Sequence, residues 1–180
     1  LEAREAENNL LLGIAGTLVS GEHDYDDPIY LATVEKDREV VGCAWRTPPH
    51  KVGLTRMPPA AVPALVAHVA AVYDELPGVL GEEEVAGAFA RAWAAGRKLS
   101  VRPGMHMRIH ALEAVEPPGR PPPGEMRAAT AADHGLLVAW WNAFSDEAGV
   151  PPGRDVEGHV ERRTRNGELW VWDDDGVVSF

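Results

Sequence analysis

The sequence predicts a mixed α/β (α+β) chain: a mainly antiparallel sheet flanked by helices, followed by the opening of a second unit of the same kind. Three observations carry this. Residues 29–46 alternate apolar and polar around a short polar turn, as a hairpin does. Residues 59–95 hold two apolar stripes at helical spacing. Residues 116–124 read EPPGRPPPG, a stiff linker, and the pattern of strands and helices restarts after it. The expected division is therefore 1–115, a linker at 116–124, and 125–180.

The elements of the first part follow in order. Leu10, Leu11, Ile14 and Leu18 recur at helical spacing, so 4–19 is expected as a helix. Ser20–Asp27 is polar and ends at Pro28, which marks a loop. Strands are expected at Ile29–Glu35 and Glu39–Arg46, with Lys36, Asp37 and Arg38 as the turn. A third strand is expected at Lys51–Arg56, completing an antiparallel meander. Pro59 suits the first turn of a helix. Its apolar stripe runs through Val62, Leu65, Val66, Val69, Val72, Tyr73 and Leu76. A very short strand at Val79–Gly81 and a helix at Glu82–Ala95 follow, the helix with acids in its first turn. Residues 105–113 then alternate, with Met105, Met107 and Ile109 on one side and His106, Arg108 and His110 on the other. A strand is expected there.

After the linker, Glu125–Ala129 is expected as a strand. Thr130 and Asp133 have the spacing of a capping box. Leu136, Leu137, Trp140, Trp141 and Phe144 form the apolar face of the helix that follows. Ser145–Arg154 is expected as a loop. Asp155 caps a second helix with Val156, His159 and Val160 inward, and Gly167 stops it. Leu169–Trp172 and Val177–Phe180 are expected as strands, with a turn at Asp173–Gly176.

Composition narrows the function. The chain has 180 residues, 45% apolar and 25% charged, with a net charge of −11. Such a surface repels phosphate backbones and anionic headgroups, which argues against nucleic-acid and membrane partners. No apolar run approaches the roughly 18 residues of a membrane span. One cysteine, Cys43, leaves no intramolecular disulfide, and a reducing cytoplasm is the expected compartment.

The order of elements after the linker resembles the opening of an N-acetyltransferase of the GNAT superfamily. EMRAATAAD is similar to that family's first strand and helix start. ELWVWDDDGVVSF is similar to its second strand, turn and third strand. The first 115 residues resemble a diverged copy of the same fold. There IYLATVEKDREVVGCAW is similar to the strand 2–turn–strand 3 ribbon. KVGLTRM stands at strand 4, and the helix from Pro59 stands where the cofactor-binding helix belongs. RAWAAG and MHMRIHAL resemble the last helix and closing strands. The resemblance implies a tandem, two-lobed acetyltransferase truncated early in its second lobe. The complete family member would transfer an acetyl group from acetyl-CoA to a small-molecule amine or to a protein N-terminal or lysine amine. A non-catalytic binding or dimerisation module derived from that fold is the alternative.

Members of the family hold the coenzyme A pyrophosphate on a turn of the form R/Q-x-x-G-x-G/A, through free N–H groups at a helix start. The corresponding first-lobe stretch reads TRMPPAAVP. Pro58, Pro59 and Pro63 have no N–H to donate. The second-lobe turn does not fall within the chain. No acetyl-CoA site is therefore expected in this chain alone, and no catalytic residue is assigned. The resemblance makes Ser145–Arg154 the acceptor-lining loop, with Asp146, Glu147 and Arg154 as the polar groups that would orient an amine or its carboxylate. The end of the chain, Val177–Phe180, is expected to leave a strand edge through which copies could associate.

Other candidates read as structural. His106 and His110, four apart on a strand, would stand about 13 Å apart, too far to share a metal. Glu22, His23, Asp24, Asp26 and Asp27 fit no EF-hand spacing and read as a solvated acidic loop. Asp173–Gly176 reads as a hairpin turn. Cys43 reads as a strand residue, and Tyr73 as a core residue rather than a general acid. No metal site is expected.

Overall fold

A computed structural model describes residues 4–21, 23, 25–150 and 153–180. The chain is mixed α/β, with two mainly antiparallel sheets and helices beside them. It divides into two compact units, 1–113 and 114–180.

Unit 1 begins with helix α1, Glu5–Ser20, which Gly21 ends in the left-handed region. The sheet follows as β1 (Tyr30–Lys36), β2 (Glu39–Arg46) and β3 (Val52–Leu54), each antiparallel to the one before. The β1–β2 turn has two residues, Asp37 and Arg38, both at positive φ. That geometry matches the right-handed twist of the strands it joins. After β3 the chain makes a 3-10 turn at Pro59–Ala61 and enters α2, Val62–Ala70. It returns as β4, Val79–Leu80, parallel to β3, so α2 is a crossover helix. Helix α3, Glu83–Ala94, closes the order. The core lies between the sheet and α2 and α3, around Val52, Leu54, Val62, Val69, Val85 and Phe89.

Unit 2 runs β5 (Glu125–Ala128), a 3-10 turn at Ala131–Asp133, α4 (His134–Ala148), α5 (Val156–Arg165), β6 (Trp170–Asp173) and β7 (Val177–Ser179). β5 and β7 both pair antiparallel with β6. Leu137 of α4 and Val160 of α5 meet Val171 of β6 in a small core.

Four expectations need correction. Residues 101–118 form no strand or helix, so the strand expected at 105–113 is absent, and Met105, Met107 and Ile109 are 76%, 74% and 57% exposed. Helix α2 stops at Ala70 rather than running to Leu76. Tyr73 is still buried, but from the turn beyond the helix, where its hydroxyl donates to Pro28 O. Helix α4 runs to Ala148, so the loop after it starts at Gly149 (φ 64°) and not at Ser145. Phe144 lies on the solvent side of α4 rather than in the core. The Pro-rich stretch is also tied at its end: Trp172 Nε1 of β6 donates to Pro123 O at 2.8 Å.

Candidate functional site

The approach to the helix start in unit 1 is fixed by Thr55, the residue after β3. Its N–H donates to Cys43 O at 3.0 Å, and its Oγ1 accepts from Cys43 N–H at 2.7 Å. The chain then passes through Pro58 in an extended conformation (ψ 131°) and tightens. Ala61 N–H donates to Pro58 O at 2.9 Å, and Val62 N–H donates to Pro59 O. Pro63 follows in the first turn of α2. Three prolines lack the donor, and two of the N–H groups between them are already used. An anion meeting this helix start would find few of the donors that usually hold a pyrophosphate there.

In unit 2 the acceptor residues expected from the sequence fall on two elements. Asp146 and Glu147 are exposed in the last turn of α4. Arg154 is exposed beyond Gly153, ahead of α5; Pro151 and Pro152 lie outside the described residues. Ser145, just before Asp146 and Glu147, is buried, with its hydroxyl donating to Trp141 O at 2.9 Å. No basic residue stands in the last turn of α4. Two carboxylates there add to the negative end of the helix dipole, which is the unfavourable placement for an acid and the favourable one for a bound cation. What this arrangement offers chemically is attraction for a protonated amine.

Two polar clusters lay beyond the sequence reading. In unit 2, Arg127 of β5 forks between two carboxylates. Its Nη1 and Nη2 donate to Asp133 at 2.8 and 2.9 Å, and its Nε donates to Asp173 at 2.8 Å. Thr130 N–H also donates to Asp133 at 2.8 Å, which is the acid half of the capping box. The Arg127 guanidinium and then the Thr130 N–H hold the Asp133 carboxyl well below the usual carboxylate range. Arg127 and the Gly176 N–H lower Asp173 likewise, and the two acids raise Arg127. Every acceptor faces a donor inside the unit, so this cluster is structural.

In unit 1, Arg46 is buried at the end of β2. Its Nε donates to His50 O at 3.0 Å, and its guanidinium lies 4.1 Å from the Tyr73 ring centre, a cation–π contact. Tyr30 OH and His68 Nδ1 are 2.8 Å apart beside it. Burial raises both phenols, with Tyr73 adding to the rise at Tyr30 and Arg46 opposing it at Tyr73. Burial also pushes the Cys43 thiol up. Neither Tyr73 nor Cys43 is set up for proton transfer or nucleophilic attack near neutral pH. Only the spacing of Tyr30, Arg46 and Tyr73 along the chain was visible in the sequence, and spacing alone does not join them.

Among the described residues no group of three or more His, Cys, Asp or Glu could hold a metal ion. Among them, too, no helix is long and apolar enough to cross a membrane. No family model, no curated protein and no solved structure matches this chain.

Proposed function

We propose that this chain serves acetyl transfer from acetyl-CoA to an amine as part of a two-lobed N-acetyltransferase of the GNAT type. Unit 1 is the non-catalytic lobe, and unit 2 carries the acceptor side. The observation that supports this best is the change of strand direction in unit 1. Three antiparallel strands lead to one crossover helix, and the next strand, β4, returns parallel to β3. An antiparallel meander followed by one parallel crossover is the sheet order that the resemblance implies. Unit 2, with β5 antiparallel to β6 across two helices, follows the opening of the same order.

In this reading acetyl-CoA is held outside unit 1, because the prolines of TRMPPAAVP remove the donors at its helix start. The acceptor amine approaches the acidic end of α4 at Asp146 and Glu147, with Arg154 on the following segment for an acceptor carboxylate. Transfer itself is direct attack of the neutral amine on the thioester carbonyl. The amine nitrogen bonds to the carbonyl carbon, the carbon–sulfur bond breaks, and a base takes the amine proton.

The test is acetyl transfer by the full gene product that contains this chain, assayed as release of coenzyme A with lysine, spermidine and a short peptide as acceptors. Amine-dependent release is the expected result. A gene product that neither binds acetyl-CoA nor releases coenzyme A would favour the second reading, a non-catalytic module. The proline-occupied helix start is the observation that favours that reading.

A further inference from the structure

We propose that residues 105–111 are a strand in waiting, which adds to the free edge of β1 in a second copy of this chain. The segment has the pattern of a strand without a partner. Met105, Met107 and Ile109 alternate with His106, Arg108 and His110, yet the whole stretch is exposed and forms no ladder with its own sheet. A strand with one apolar face gains nothing from extension until an edge satisfies its backbone and covers that face.

β1 is such an edge. Among the described residues it pairs with β2 alone, so one row of its N–H and C=O groups is open. It has seven residues, the length of 105–111. Its two faces also fit the two faces of the segment. Ala32 and Val34 point toward the core of unit 1 but are only half-buried, so an apolar row of Met105, Met107 and Ile109 beside them would extend that core. On the other face Leu31, Thr33 and Glu35 are exposed, and Glu35 would stand in the row of His106, Arg108 and His110.

That 105–111 forms no ladder with its own sheet points to a copy of the same chain, and charge favours the pairing. Residues 97–112 carry four basic residues (Arg97, Lys98, Arg102 and Arg108) and no acid, within a chain of net charge −11. Around β1 the exposed charges are Asp27, Glu35, Asp37 and Glu39 against Lys36 and Arg38, four acids to two bases, a net charge of −2. The basic stretch and the acidic edge are therefore complementary, and a reciprocal exchange of the two would close into a dimer.

Molar mass by light scattering across a concentration series, together with hydrogen exchange on the full chain, tests this. The expected result is a dimer in which amides of 105–111 and of β1 are both slowed. Ile109→Pro, a substitution in an exposed segment, should return the chain to monomer and free both sets of amides. Arg108→Glu should weaken association about fivefold, and adding Glu35→Arg should restore it. A monomer would overturn the proposal, whether its 105–111 amides are fast or are slowed by pairing within the chain. So would a dimer indifferent to Ile109→Pro.

Discussion

The indole of Trp45 fills the space beside Gly53, its antiparallel partner across β2 and β3. A Cβ at Gly53 would overlap indole Cε2 and Cζ2, and Trp45 is itself buried. Gly53→Ala is expected to destabilise unit 1 by about 1–3 kcal/mol, the range for overpacking. Gly13→Ala is the contrast, because open space surrounds Gly13 on α1. It should raise helix stability by up to about 1 kcal/mol. Denaturation midpoints of the two variants should move in opposite directions; a neutral Gly53→Ala would contradict the contact.

The β1–β2 turn offers a gain. Asp37 and Arg38 have φ of 53° and 68°, a conformation that costs an arginine more than a glycine. Replacing the pair by Asn-Gly should stabilise the hairpin by about 1 kcal/mol. Thermal melts of unit 1 would show the rise, and a fall would mean that the turn is not of this type in solution.

The Arg127 fork predicts a pH dependence. Asp133 and Asp173 both have folded carboxyls below their ordinary range. The stabilisation they give is fully present above about pH 4, the ordinary carboxylate value, and is lost as pH falls below it. Urea midpoints of unit 2 should therefore hold above about pH 4 and drop as pH falls below it. Arg127→Gln should flatten that drop, because the acids lose the partner that lowers them. Parallel curves for wild type and variant would rule the fork out as its source.

Unit 2 rests on a small core. Leu137 and Val160 are fully buried, in a cluster that among the described residues has five buried members: Ala129, Leu137, Val160, Leu169 and Val171. Leu137→Ala should cost about 2–5 kcal/mol and remove amide protection across 125–179. Phe89→Ala costs about 3–5 kcal/mol by the same reasoning, but in a cluster of thirteen buried residues. Hydrogen exchange should show the smaller core losing the larger part of its protection.

Where the sequence was readable, a local rule was enough. The β1–β2 hairpin announces itself by alternation around a short turn, and Thr130 with Asp133 by capping spacing. Alternation at 105–113 is equally regular, but it records only which faces differ and is silent on whether an edge exists to pair with. The apolar stripe after Ala70 is real, yet Tyr73 is buried through Pro28 and Arg46, residues far away in the chain. Likewise the fork at Arg127 depends on Asp173, 46 residues distant. Phe144 fits the helical stripe by spacing and still faces solvent, while its stripe neighbour Trp141 packs against His159 of α5.

Arg127 also decides an alignment. Backbone hydrogen bonds alone would let β5 slide along β6, since each residue offers the same donor and acceptor. In the observed pairing Arg127 stands opposite Val171, and Met126 opposite Trp172. A slip of one residue would turn Met126 inward toward Asp133 and Asp173 and send the guanidinium to the other side of the sheet. Both carboxylates would then face a thioether, and the start of α4 would lose its anchor. The side chain thus works as a key that fits one position of the strand only, so that the lock turns at Ala128 and Trp170 and nowhere beside them.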